Sequence, residues 1–444
     1  MGRKGELVAA ADFGARYVRV LIAERTADGS LRYRGDGASP SRGCVRHGQI
    51  QNQHDAQRAL RAALEEARKK SGAQAQALFC GITSEAARSV VQEGGVPLNK
   101  GVVELEHLDS ARANAAQNAL SPGCYAITST SSQEWQVDGT RVIEPLGMHG
   151  SVLKAKIHVA NIPSVAADNL RACIDSQKRI LEDFVYQPIA AALGCLSSED
   201  MQLGAAVVDV GHSGIGIAAY HDMSILGTAY IPQGTVLMVN DLSAGLKVRF
   251  DEAGEILQEY GVSRLLLDQL QQEGGTDTAH AAPPPPDADS PRVKLKSPVN
   301  GAPDMVSRRL VDEIIFARAQ ELAEEIARFL NRHRMNQMLA RGIVLTGGGA
   351  EIRTFAALLE TVSRLPVRVG NPEGLDGMPT YYNTPANAPI TGIVRHGLEY
   401  YDALRSGRVT RANSPLAGRI RYLWEKFRER SEEHTSELQS LRHL

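Results

Sequence analysis

The sequence predicts an α/β fold of two duplicated lobes that clamp a ligand between them. Three stretches carry that expectation. In Gly342-Ile-Val-Leu-Thr-Gly-Gly-Gly-Ala350, an apolar, β-branched strand at 343–346 runs into Gly347, Gly348 and Gly349. Residues 351–361 then set Ile352, Phe355, Leu358 and Leu359 at helical spacing. A strand that stops at glycines and turns into a helix lets backbone N–H groups approach a ligand that a side chain would block. Packing alone also produces such turns, so this stretch gains weight from the other two. Residues 7–24 read as two strands joined by a tight turn at Asp12-Phe-Gly14, and 204–220 repeat the pattern at Asp209-Val-Gly211-His-Ser-Gly214. Two Asp-x-Gly hairpins far apart in the chain are either ordinary hairpins or the two halves of a duplication. The triple glycine favours the duplication. Asp12 and Asp209 are then the acids that hold a hydrated divalent cation, and the turns present N–H groups to phosphate.

The remaining elements follow in order. Residues 56–70, with Leu60 and Leu64, read as a helix, 108–120 as another, and 133–137 as a strand. Residues 161–185 read strand–helix–strand, and 188–196 as a buried helix of small residues. The stretches 233–260 and 307–335 are helical. Between them, 271–303 is rich in Gly, Pro, Asp and Ala and reads as a disordered or extended insertion. Residues 405–415 are polar and basic, as in a linker. In 416–430, Leu416, Ile420, Leu423, Trp424 and Phe427 form one helical stripe, with Arg419, Arg421 and Lys426 beside or opposite it. A terminal helix docked on its own body is the commoner use of such a stripe. The basic linker and the tryptophan point instead to an interfacial helix on an anionic membrane surface. Each basic residue near such a surface adds about 1 kcal/mol. Binding of that strength is marginal for a monomer and firm for a polymer that links several copies. Residues 431–444, beginning Ser-Glu-Glu-His-Thr-Ser-Glu-Leu-Gln-Ser440, read as a translated sequencing adapter. The natural chain is therefore expected to end near Glu429 or to have a different end.

Composition narrows the class. A chain of 444 residues exceeds one compact core. A formal net charge of −2 argues against nucleic acid as a bulk partner. The cysteines at 44, 80, 124, 173 and 195 show no CxxC or metal-ligand spacing, as suits a reducing compartment. Glu6 and Asp12 interrupt the first apolar run, so it does not read as a signal peptide, and no apolar stretch reaches the roughly 20 residues that span a bilayer.

The hairpin pair and triple glycine resemble the actin/Hsp70/sugar-kinase superfamily, whose actin-like lobes share a ribonuclease H-like duplicated fold. Within it the chain resembles the FtsA family of bacterial cell-division proteins. The segments that carry this are Val137-Asp-Gly-Thr-Arg-Val-Ile-Glu-Pro-Leu-Gly-Met-His-Gly-Ser-Val-Leu-Lys-Ala-Lys-Ile-His-Val159, Asn240-Asp-Leu-Ser-Ala-Gly-Leu246 with Tyr260-Gly261, 342–350, and Leu365-Pro-Val-Arg-Val-Gly370. The first is the most specific, because it resembles an extra, SHS2-like subdomain that chaperones, kinases and MreB-type actins lack. The resemblance implies lobe 1 at 1–86 and 161–202, with the extra subdomain at 87–160. It implies a lobe 2 core at 203–233 and an outer subdomain at 234–340 that contains the 271–303 insertion. Residues 341–404 complete lobe 2 and return to lobe 1, before the linker at 405–415 and the membrane helix at 416–430.

The family's function is expected to follow: self-association into a filament, tethering of FtsZ through its C-terminal peptide at the outer subdomain, and recruitment of later division proteins by the extra subdomain. The site would be the cytoplasmic face of the bacterial inner membrane at the division plane, held by Leu416, Arg419, Ile420, Arg421, Leu423, Trp424, Lys426 and Phe427. The implied cofactors are ATP and Mg²⁺, held by Asp12, Gly14, Arg19, Asp209, Gly211, Gly214, Gly347, Gly348 and Gly349, with Gln187 the candidate for positioning a water. Departures from the family pattern weaken that site. Ala15 replaces a hydroxyl residue, Arg19 stands where a phosphate-facing lysine is frequent in the superfamily, and the family's Thr-Thr-Asp is lost after Gly214. His212 adds bulk, and the polar pair that faces ribose falls on Ala253-Gly254-Glu255-Ile256-Leu257, where only Glu255 could substitute by a register shift. Weak nucleotide binding and very slow or absent hydrolysis are expected. A PilM-like pilus-assembly scaffold and a sugar-kinase-like phosphotransferase are the rival readings, the latter without a recognisable catalytic base.

Overall fold

The computed structural model describes residues 6–99, 101–272, 291–299, 303–332 and 334–406. Two five-stranded sheets share one plan. In the first, the antiparallel strands Leu31–Pro40, Tyr17–Arg25 and Glu6–Phe13 are followed in the sheet by the parallel strands Ala77–Ile82 and Ile180–Tyr186. The second repeats that order with Ser224–Ile231, Ile215–His221, Ala205–Val210, Ile343–Thr346 and Val367–Val369. The strand Ala205–Val210 is almost wholly buried, which is why it reads as a continuous apolar run rather than an alternation.

The first sheet packs against the helix Gln53–Ser71, whose Ala56, Leu60, Ala63 and Ala67 are buried. Asn52 caps its start by accepting from the Asp55 N–H at 3.0 Å, and Gly72 ends it in the left-handed region at φ 64°. Between the sheets cross two helices, Gln187–Cys195 and Ala388–Arg405. The first is buried from Pro188 onward, and its Ala191 and Leu193 share one apolar core with Val207 and Tyr220 of the second sheet. They approach closely because Gly194 lies against the backbone of Ala388 and Gly392 against the backbone of Ala190.

A separate four-stranded sheet, ordered Arg88–Pro97, Val152–Pro163, Cys124–Val137 and Thr140–Val142, interrupts the first lobe. The helix Leu105–Ala119 covers it, burying Leu108, Ala111 and Ala115 against Leu153, Ile157 and Trp135. This insert rests on the second lobe at two places. Arg141 pairs with Asp222 at an exposed turn. At a buried one, His158 Nε2 lies 2.9 Å from the Thr228 hydroxyl, which in turn donates to Ser89 at 2.8 Å. That direction makes His158 the donor, and burial holds its pKa down near 4, so the ring is neutral. Thr228→Val is expected to cost about 1–3 kcal/mol, because it strands the imidazole N–H without an acceptor. Urea unfolding checks this, and a neutral result would show that the joint carries no stability.

Four sequence readings need correction. The helix after the triple glycine starts at Phe355 rather than 351, because Gly348–Glu351 forms a 3₁₀ turn and Thr354 takes φ 66°. The stretch 233–260 is two helices, Val236–Leu246 and Phe250–Tyr260, broken where Lys247 adopts φ 53°. The helix read over 307–335 is Arg308–Arg332, followed by the 3₁₀ turn Met335–Met338. The supposed loop 271–303 is ordered at both ends. Gln271 and Gln272 finish the helix Arg264–Gln272, and Arg292–Lys294 pairs with Met305–Ser307, burying Val293 and Leu295. Of the linker read over 405–415, Arg405 closes the last helix. Ser406 follows as a turn bonded to Asp402, and 407–415, the membrane stripe 416–430 and the tail 431–444 lie outside the described residues.

Candidate functional site

A cleft of about 1190 Å³ opens between the two lobes. Eight of the nine residues read as nucleotide-binding line it: Asp12, Gly14, Arg19, Asp209, Gly211, Gly214, Gly347 and Gly348. Gly349 sits behind them against the Val210 side chain. The sheets dictate this meeting, because each Asp stands near the end of its strand, at the mouth of its hairpin. Asp12 lies opposite Arg19 in the register of the first hairpin, and Asp209 opposite Gly216 in the second.

The glycines divide their work. Gly14 N–H donates to the Tyr17 carbonyl at 3.0 Å, and Gly211 N–H to the Gly214 carbonyl at 2.9 Å. Those two donors therefore close their own turns instead of facing a phosphate. Gly347, at φ 78° and ψ 177°, makes room for the Asp209 carboxylate, and its N–H donates to Pro385. Gly214 lies against the Tyr230 ring. Only Gly348 of the triple glycine faces open cleft. The sequence missed Thr235 and Val236, whose N–H groups donate to the carbonyls of Gly211 and His212 and so dock the helix Val236–Leu246 onto the second hairpin. No local motif marks them.

Burial is the main influence on the two acids. Asp12 is 6% exposed, and desolvation raises its pKa against the opposing pull of Arg19 and a hydrogen bond from Gln187. Desolvation and the charge of Asp12 push Asp209, which is partly accessible, up to about 7. An acid with a raised folded pKa ionises first in the unfolded chain, so this group removes stability as pH climbs from 3.8 towards 7. Asp209→Asn is therefore expected to stabilise the free protein at pH 8 by about 1–3 kcal/mol, with the gain vanishing near pH 4. Urea midpoints at the two pH values measure it, and a less stable variant at pH 8 contradicts it.

Gln187 is held differently from its expected role. Its Nε2 donates to Asp12 at 2.5 Å, and Gly81 leaves the space it occupies. The amide nitrogen thus braces Asp12. Glu255 lines the cleft but pairs with Lys296 at 2.6 Å, and Glu252 turns to accept the backbone N–H groups of Lys296 and Ser297. His212 packs edge-on to Phe250, and burial with nearby Arg16 lowers its pKa.

Among the described residues no three His, Cys, Asp or Glu side chains are grouped to hold a metal. Two acids from opposite lobes suit a hydrated Mg²⁺ held through water, with phosphate oxygens completing its shell. The cleft volume and the arginines on its wall suit a phosphorylated ligand.

Duplicated sheets with paired Asp hairpins around an interlobe cleft define a two-lobed, actin-like protein. Comparison with known proteins resolves the family. A model described as "Cell division protein FtsA" matches residues 206–392, and one described as "SHS2 domain inserted in FTSA" matches residues 85–160. The chain is 28% identical over 398 residues to the cell division protein FtsA of Pseudomonas aeruginosa, covering 89% of this chain and 90% of that one. It is 27% identical to that of Neisseria meningitidis (89% and 91%) and 23% identical to that of Escherichia coli K12 (89% and 91%). The chain belongs to the FtsA family. A solved PilM–PilN type IV pilus biogenesis complex has the same fold, with TM-score 0.61 over 88% of this chain and 98% of that one, at 14% identity. A diol dehydratase-reactivating factor matches at TM-score 0.50, 11% identity, with 89% and 100% covered. At such identities both show the fold alone.

Proposed function

We propose that this chain is a division scaffold that assembles into an actin-like filament, tethers FtsZ to the cytoplasmic membrane and recruits later division proteins. One observation supports it most: the FtsA-type insert, matched over 85–160 and built as a helix on a four-stranded sheet within the first lobe. The fold likeness to a pilus-assembly protein does not compete, since at 14% identity it speaks for the fold alone. In this reading FtsZ is held by its C-terminal peptide at the outer helices of the second lobe. The insert meets neighbouring copies and later partners, and residues 416–430 hold an anionic surface at the inner membrane. Among the described residues no helix is long and apolar enough to cross a membrane.

The cleft takes ATP with Mg²⁺ as a structural wedge. Asp12 and Asp209 hold the hydrated ion, whose charge offsets that of the phosphates. Gln187 keeps Asp12 in place, and the lobes pivot where Gly194 and Gly392 cross. Turnover is very slow or absent, because the residues that would orient water and ribose are missing or engaged elsewhere. Two measurements test this. Fluorescence anisotropy with the C-terminal peptide of FtsZ from the same organism is expected to give saturable binding, and none would defeat the tether. Nucleotide turnover that disappears on Asp209→Ala would overturn the wedge reading.

A further inference from the structure

The two walls of the cleft carry opposite charge. Arg16, Arg19 and Arg42 line the first lobe, while Asp251, Glu255 and Glu351 line the second. Among the described residues many other arginines have a carboxylate partner, as in Arg25–Asp402, Arg318–Asp241 and Arg368–Asp200. Among the described residues the three cleft arginines have no such ion pair, although Arg19 faces Asp12 across the hairpin. The side chains of Arg16 and Arg19 are nonetheless held, as is the backbone of Arg42. The guanidinium groups of Arg16 and Arg19 lie 5.8 and 5.4 Å from the Tyr17 ring centroid. Arg42 sits at φ 47° on a loop tied to the first hairpin: the Ser41 hydroxyl donates to the Gly14 carbonyl at 2.6 Å, and the Ser41 N–H to the Arg16 carbonyl at 3.0 Å. Three cations on one wall, of which only Arg19 has a carboxylate nearby, fit a ligand that brings several negative charges together. The backbone donors of Gly14 and Gly211 are already used, which leaves more of the recognition to side chains.

We propose that Arg16 and Arg42, with Arg19 behind them, clamp the phosphate chain of the cleft ligand, replacing the hydroxyl absent at Ala15 and the N–H groups that Gly14 and Gly211 spend on their own turns. The clamp rests on the nucleotide reading of the cleft and names the side chains that make it prefer a triphosphate over a mono- or unphosphorylated ligand. Guanidinium forks give paired, charge-assisted hydrogen bonds to phosphate oxygens. Binding through exposed cations is also screened by salt.

The test is calorimetric titration of the full-length protein with ATP, adenosine and inorganic tripolyphosphate, at two salt concentrations. It is repeated for Arg16→Gln and Arg42→Gln, with circular dichroism and melting as folding controls. Both arginines are exposed, so the variants are expected to fold. Each substitution should weaken ATP and tripolyphosphate by about tenfold, leave adenosine unchanged and flatten the salt dependence. Arg42→Lys keeps the charge and should restore part of the loss. If the variants bind ATP like the wild type, the clamp is wrong and the nucleotide reading survives. If tripolyphosphate binding is lost in the variants while ATP binds no tighter than tripolyphosphate, the clamp holds and the nucleotide reading fails. If the wild type binds neither, both fall.

Discussion

Gly392→Val is expected to prevent folding or to cost more than about 3 kcal/mol, the upper range for overpacking a well-packed core. A Cβ at Gly392 would lie inside the carbonyl of Ala190 and within 2.7 Å of the Gly194 N–H. Nothing there is the movable end of a side chain. The neighbours are the backbone of Gln187–Cys195, a helix buried between both lobes. Relief would need the two crossing helices to separate, and that opens the core shared by Ala191, Leu193, Val207 and Tyr220. Urea unfolding and soluble yield measure the effect. A variant that melts like the wild type would mean that the helices do not cross here.

The second large effect is expected at Gly347. Its φ of 78° with ψ of 177° falls in a region that is essentially open to glycine alone, and forcing another residue there costs about 1–3 kcal/mol. A methyl group would also overlap the Asp209 carboxylate and approach the Val210 carbonyl at 2.8 Å. Gly347→Ala should therefore lose stability and, by displacing Asp209, lose Mg²⁺-dependent nucleotide binding. Gly348→Ala is the control for stability, since nothing in the protein lies within 4 Å of the added carbon. Melting and ATP titration of both variants separate the two. Equal behaviour would show that the triple glycine acts as a flexible run rather than as a seat for Asp209.

That division shows how far the sequence could be read. The two hairpins and the strand Ile343–Thr346 were legible because buried parallel and hairpin strands leave continuous apolar runs ending at Asp or Gly. The symmetry of the sheets followed from the repeat at Asp12 and Asp209. Roles within the triple glycine were not legible, because φ and the position of Asp209 are properties of the fold. Gln187 likewise reads in sequence as a candidate for positioning a water, and its amide nitrogen proves bonded to Asp12, a partner 175 residues away. Arg42 carried no motif signal at all. It enters the cleft because Ser41 ties its loop to Gly14, a contact that no local pattern announces. The ordered strand Arg292–Lys294 was hidden because its partner Met305–Ser307 lies beyond a proline-rich segment, and composition reports the segment rather than the pairing.

The tether is tested most directly by co-sedimentation of the full chain with anionic liposomes and FtsZ from the same organism, beside a Trp424→Glu, Phe427→Glu variant. The expected result is that the wild type pellets and carries FtsZ with it. The variant should stay in solution while still binding the FtsZ peptide. FtsZ left in the supernatant while the wild type pellets would contradict the division role.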